Sequence, residues 1–218
     1  MTSAKQIYIG SRRGPALPYD SEVEYLESTG TQWIDTGYKP SNKTKVMYRC
    51  RPVSNGTAVG CLNGRVWKPS FSLTFYSGVS PRWGNNANTS YVQFRWSGVD
   101  ITVEQDKDCY LNGQLVRSYE DNTFNMQYPL ILFDRSETDH DPFEGRLYWV
   151  RFYESSVLVR DLIPVRFTNE QGQSEGAMYD RLGTGGMNPD GSARTDGLYR
   201  NQGTGAFGFG TDIAGGGV

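Results

Sequence analysis

Acidic side chains crowd two short stretches of this sequence, Glu104-Gln-Asp106-Lys-Asp108 and Asp134-Arg-Ser-Glu137-Thr-Asp139-His140-Asp141. Carboxylates at alternate positions of one strand point the same way, and such a pair can be the acid and nucleophile of glycoside hydrolysis. Here the strand signal ends at Val103 and resumes at Cys109-Tyr-Leu-Asn-Gly113, so the first group reads as the solvated tip of a hairpin. A Ser-His-Asp triad would have to use His140, the only histidine. It lies in the polar run Ser136–Asp141, without the strand-to-helix turn that presents a nucleophile. Catalysis is not expected.

Aromatic rings are the second chemical resource. They stack on sugar faces, while neighbouring amides, guanidinium groups and carboxylates bond hydroxyls. Trp67 and Trp83 stand in loop-like contexts, Gly64-Arg-Val-Trp-Lys-Pro69 and Ser80-Pro-Arg-Trp-Gly-Asn-Asn86, where a core role is not automatic. If Tyr148, Val150 and Phe152 face the core, Trp149 and Arg151 face outward. Trp67, Trp83 and Trp149, with Arg82, Asn85, Asn86 and Arg151, are therefore the candidate binding surface. Packing of the same indoles beneath loops is the alternative.

These residues need a scaffold, and the chain writes a β-domain. Glu24–Tyr38 has no helical period; Gly30 and Gly37 punctuate it, and Thr29, Thr31, Trp33, Ile34 and Thr36 suit a pleated surface. Leu198–Phe207 echoes it near the other end, and a first strand paired with a last one closes a sheet edge. Between them strands are expected at Lys43–Arg51, Thr57–Leu62, Phe71–Phe75, Tyr91–Trp96, Asp100–Val103, Cys109–Leu115, Pro129–Phe133, Arg146–Tyr153 and Val157–Arg160. About ten short strands and no long helix describe a two-sheet sandwich.

Composition agrees. The 218 residues suit one large all-β domain, and 26 Gly with 14 Tyr, 10 Phe and 5 Trp make it rich in turns and rings. A net charge of -2 supplies no basic face for nucleic acid. The longest apolar run, Pro129–Phe133, is too short to cross a bilayer, and Met1–Gly10 carries no apolar segment of a secretory signal. Cys50, Cys61 and Cys109 cannot all pair within one chain and lack zinc-site spacing. Cys50 alternates with Val46 and Tyr48, which reads as a buried thiol, with a Cys50–Cys61 bridge the other option. Residues 1–21 read as an arm, in which Ile7-Tyr8-Ile9 can add a short strand before Arg12-Arg13, the only adjacent arginines.

Six segments in order resemble one known family. They are Leu17-Pro-Tyr-Asp20, the run from Glu24 to Gly37, Tyr110-Leu-Asn-Gly113, Gly145–Tyr153, Val157–Arg166 and Gly203–Phe207. Together they look like the concanavalin A-like, laminin-G-like jelly-roll family found in gut (Bacteroidales-type) bacteria and their phages and prophages. The likeness runs from Val23 to Gly210 and departs at Arg181–Gly197, which looks like a surface insertion. It implies an all-β jelly-roll sandwich of two antiparallel sheets over residues 22–210, with an N-terminal arm (1–21) and a Gly-rich tail (211–218).

That family hosts lectins, adhesins, virion proteins and hydrolases, so its fold does not fix its function. The resemblance, with the missing signal segment, implies a non-enzymatic phage or prophage virion protein, such as a decoration, fibre or tail-associated component. Its sandwich would meet host-surface or mucosal glycans or other virion proteins, with Ile7, Tyr8, Ile9, Arg12 and Arg13 docking it as a homo-oligomer. The alternative is a secreted or surface carbohydrate-binding adhesion module. Relatives with one Ca²⁺ at the sandwich rim make Asp134, Asp139 and Asp141, with Glu137 nearby, the candidate ligands. A solvated acidic loop is the other reading, and no other cofactor is expected.

Overall fold

The computed structural model describes residues 17–63, 66–85, 90–136, 138–183, 188 and 190–213, with the backbone alone at 63 and 66–68. The expected arm residues Ile7, Tyr8, Ile9, Arg12 and Arg13 therefore lie outside the described residues, as do Asn86, Glu137, the Trp67 side chain and residues 214–218. Sixteen strands and no helix are found among the described residues. The first eight are β1 (Ser21–Glu22), β2 (Leu26–Thr29), β3 (Ile34–Asp35), β4 (Thr44–Pro52), β5 (Gly56–Asn63), β6 (Val66–Phe75), β7 (Val79–Gly84) and β8 (Ile101–Gln105). The rest are β9 (Asp108–Leu111), β10 (Gln114–Ser118), β11 (Ile131–Leu132), β12 (Glu144–Glu154), β13 (Val157–Thr168), β14 (Ser174–Asp180), β15 (Leu198–Tyr199) and β16 (Gly208–Phe209).

Two antiparallel sheets result. The larger has eleven strands and runs β10-β9-β8-β4-β12-β13-β14-β15, with β1, β2 and β16 attached; the smaller runs β3-β11-β5-β6-β7. This is the all-β sandwich, consistent with a jelly roll, that the strand pattern and the resemblance imply.

The core between the sheets follows from period-two alternation. On β4, Thr44, Val46, Tyr48, Cys50 and Pro52 point inward, while Lys45, Met47, Arg49 and Arg51 point out. From the facing sheet Phe71, Leu73, Phe75, Val79 and Trp83 meet Ile101, Val103, Leu111, Leu147, Val150 and Phe152 in one cluster. Each large side chain buried there contributes about 1.5–3 kcal/mol. The three cysteines are buried and unbridged, and burial pushes their thiols up, Cys109 to about 12.

A second, smaller cluster lies on the other side of β13 and β14. Ile163, Val165, Phe167, Ala177 and Leu198 are buried there, with Tyr19 and Tyr179 packed on them and the two tyrosine rings 4.9 Å apart. Tyr19 and Asp20, in the segment read as an arm, are thus held against the sandwich.

The chain ends close the larger sheet. β12 pairs with β13 over Val150–Glu154 but diverges beyond, and β2 takes its edge over Glu144–Leu147. β1 takes the freed edge of β13, with Ser21 opposite Arg166, and β16 pairs with β2. The expected neighbourhood of the two echoing segments is real: Gln202 N donates to Trp33 O at 2.8 Å and Thr204 N to Thr31 O at 3.0 Å. Gly203 lies between these bonds, and a Cβ there would sit 2.0 Å from Thr31 O, so only glycine fits.

Three expectations need correction. Tyr91–Trp96 is not a strand; it makes one bridge, Val92 to Val79. Cys109–Leu115 is two strands, because Asn112 and Gly113 take φ of 50° and 78° and turn the chain into a tight hairpin. Tyr148 is not a core residue. The register shifts between Leu147 and Trp149, leaving Tyr148 as the extra residue of a bulge that sends it and Trp149 outward.

Candidate functional site

One end of the sandwich carries a polar cleft of about 440 Å³, assembled from four connections. The β12–β13 turn contributes Ser155 and Ser156, at φ of 49° and 69°, a left-handed pair held by Ser155 N donating to Lys43 O at 3.1 Å. The β8–β9 turn contributes Asp106, Lys107 and Asp108, with Asp108 N donating to Asp106 Oδ1 at 2.8 Å. Asn42 to Lys45 lead into β4, and Asp121, Asn122 and Thr123 complete the rim. The last two segments are tied by a Ser41–Asn125 bridge and by bonds from Asn42 N to Phe124 O and Met126 N to Pro40 O. Lys107 pairs with Asp121 at 3.1 Å, and that hydrogen bond holds its ammonium above the ordinary value.

Beneath the cleft lies Trp83, edge-on to Phe124 at 5.2 Å and stacked on Tyr119 at 6.4 Å. Its indole N–H has no acceptor among the described residues. Trp83 and Arg82 were expected in a loop; they stand in β7 and are 2% and 7% exposed. Pro81 and Gly84 give the segment the spelling of a loop, but β7 is an edge strand, where proline is tolerated. Trp83 faces the core opposite Phe71, so it supports the cleft from below and offers no open ring to a sugar. Asn85 is exposed just beyond β7 and its N–H donates to Asn122 Oδ1 at 3.3 Å.

Arg82 belongs to a different region, the buried outer face of the smaller sheet. Thr57, Ser70, Ser72, Thr74, Ser80 and Arg82 are all buried there. The expected calcium ligands are part of that cover. Asp134 Oδ1 accepts from Arg135 N and Asp141 N at 2.7 and 2.6 Å, and its Oδ2 meets His140 Nδ1 at 2.6 Å. Asp141 accepts from Tyr76 OH and Thr57 Oγ1 at 2.6 and 2.7 Å, and Arg135 bridges Asp141 and Asp139 at 3.5 and 3.0 Å. Asp134, Asp139 and Asp141 do not converge: protein donors and an arginine occupy their oxygens, and no metal-holding group occurs among the described residues. Burial, then the bond to Asp141, pushes the Tyr76 phenol up to about 12.

Trp149 and Arg151 stand on the outer face of the larger sheet, away from Trp83. Arg151 lies 5.0 Å over the Trp149 ring and bonds Asp161 at 2.8 Å. The same unit repeats across the face. Arg49 covers Tyr148 at 4.8 Å and bonds Asp100 at 2.7 Å, and Arg146 covers Tyr25 at 4.1 Å and bonds Glu27 at 3.2 Å. Lys45 covers Tyr153 at 5.5 Å and bonds Glu104 at 2.9 Å. Glu104, expected at a hairpin tip, is therefore a strand residue of β8 with a lysine partner.

Sequence reasoning missed Gln105 and Arg194. Gln105 points inward and its Nε2 donates to Ser72 O and Arg82 O at 3.0 and 2.8 Å, stitching the sheets together. Arg194, in a stretch read as an insertion without core positions, is buried, lies 4.0 Å over Tyr199 and donates to Leu198 O at 2.7 Å. The strand alternation Ile101, Val103, Gln105 was the available signal for the first. Of the cleft's polar rim, the stretch Asp106-Lys-Asp108 stands out in the sequence as acidic but reads as a hairpin tip; the Asn42–Lys45, Asp121–Thr123 and Ser155-Ser156 segments carry no motif.

No family model matches the chain, and no curated protein matches it.

Proposed function

We propose that this chain is a non-enzymatic recognition module mounted on a larger assembly, held at one end and presenting the polar cleft at the other. The supporting observation is the separation of the two ends along β13. Val157 starts that strand beside the cleft turn, and Arg166, opposite Ser21, lies nine residues further on, roughly 30 Å at about 3.3 Å per residue. Asp20 N donates to Arg166 O and Ile213 N to Glu22 O, so the first and the last described segments lie side by side toward the end of β13 remote from the cleft. The family resemblance favours a phage or prophage particle as the assembly, with host-surface or mucosal glycans as the target. A module exported to a bacterial surface would use the same cleft.

The test is the solution mass of the full chain and of one lacking residues 1–16, with co-purification on particles. Tyr19 and Asp20 stay, because they pack on Tyr179 and bond Thr168. The expected result is an assembly or particle association that the truncation abolishes, with the fold intact. Monomers in both forms, without particle association, overturn the mounted reading.

A further inference from the structure

The end of the sandwich remote from the cleft carries a hollow of its own, about 400 Å³ in volume. Phe167, buried near the end of β13, lines it, and the Arg200 guanidinium lies over that ring at 5.2 Å. The β13–β14 turn forms a wall. Asn169 shapes that turn, accepting from the Gln171 and Gln173 amides at 3.0 and 2.8 Å and donating to Glu175 Oε1 at 2.5 Å. Pro18 also lines the hollow, and Asp20 ties the entering chain to Thr168 at 2.7 Å. Residues 1–16 therefore join the domain at the rim of this hollow.

The charges on the two sides of that junction are opposite. Glu170 and Glu175 line the hollow and form no ion pair among the described residues. Arg200 is the one cation lining it, and Asp196 already holds it at 2.5 Å. The neighbouring cations are taken too: Arg166 pairs with Asp212 and Arg181 with Glu22, each at 2.8 Å. Residues 1–16 hold Lys5, Arg12 and Arg13 and no carboxylate, a charge of +3 within a chain of -2, so the remainder carries -5.

We propose that the hollow is the seat of the chain's own leading segment, with Arg12 and Arg13 set against Glu170 and Glu175. Arg13 stands five residues before Pro18, a reach of about 17 Å in extended chain, and Gly14-Pro15 supplies a turn toward the hollow. Surface ion pairs are weak singly, but the tether makes the encounter intramolecular and lets two act together. Seated there, the segment gives Ile7-Tyr8-Ile9 a fixed point of departure from the domain. The seat does not depend on what the module is mounted on.

The test is paramagnetic broadening in the full chain. A nitroxide is attached through Ser11→Cys; the native Cys50, Cys61 and Cys109 are buried and stay unlabelled. The expected result is loss of the amide resonances of residues 169–175 and Arg200, with those of the cleft turns at 106–108 and 155–156 unaffected. Glu170→Gln with Glu175→Gln should restore them, and the amide oxygen at position 175 can still accept from Asn169, so the turn is kept. Salt of about 1 M, where the screening length is about 3 Å, should restore them as well. A mixture of isotope-labelled chain without nitroxide and unlabelled chain bearing it should show no broadening. Broadening spread evenly over the surface, or unchanged by the glutamate substitutions, overturns the seat. Broadening in the mixture assigns the hollow to a neighbouring copy and overturns seating within one chain.

Discussion

The outer faces of the two sheets use the same side chains to opposite ends. On the larger sheet, an arginine or lysine, an aromatic ring and a carboxylate form repeated units open to water, each cation resting on a ring and bonded to one acid. On the smaller sheet, Arg135, Tyr76 and Asp141 form a network under cover, over a layer of buried serine and threonine. Depth, not residue type, decides their worth. Exposed ion pairs contribute about 0–1 kcal/mol because water and salt screen them, whereas breaking a buried pair strands a charge. The first face contributes little to the fold; the second holds it.

Asp141→Ala is the hardest blow to the buried side. It removes the acceptor of Tyr76 and Thr57 and one carboxylate of Arg135, and should cost about 3–5 kcal/mol in denaturant unfolding. A loss below about 1 kcal/mol would place that network on a par with the exposed face.

Alkaline titration sharpens the contrast. The Tyr76 phenol is raised from 10.0 to about 12, so the fold favours its neutral form. Its contribution is complete below the unfolded value and is lost as pH rises from about 10 to about 12. Phenolate absorbance should show Asp141→Asn returning Tyr76 only part of the way, since burial, the larger cause, remains.

Ser72→Ala is a subtler probe. The Ser72 hydroxyl is buried and has no partner among the described residues, so alanine should match or exceed the parent stability by about 1 kcal/mol. A loss of that size would reveal a bonded role. Arg49→Ala, the smallest effect, should cost less than about 1 kcal/mol and shrink further in high salt, although Arg49 bonds Asp100 at 2.7 Å.

What the sequence disclosed follows from how local each signal is. The alternation of Val46, Tyr48 and Cys50 fixes which face of β4 is buried, and the glycines and threonines around Trp33 and Gly203 announce the meeting of first and last strands. β7 was hidden because Pro81 and Gly84 spell a loop, and only its place at a sheet edge allows them in a strand. Tyr148 was misplaced because a bulge adds one residue and reverses the alternation, which no local pattern marks. The cleft was the least legible part. Asp106, Asn122 and Ser155 come from three separate connections, and only the tertiary fold gathers them; of the expected binding residues, Trp83 reaches it, from beneath.

The pairing of Val23 with Asp212 also sets how portable the domain is. Val23 and Asp212 lie side by side, so the sandwich between them can be joined to a surface loop of another protein without prising that loop far apart. Such a cassette would project its cleft outward from whatever scaffold receives it.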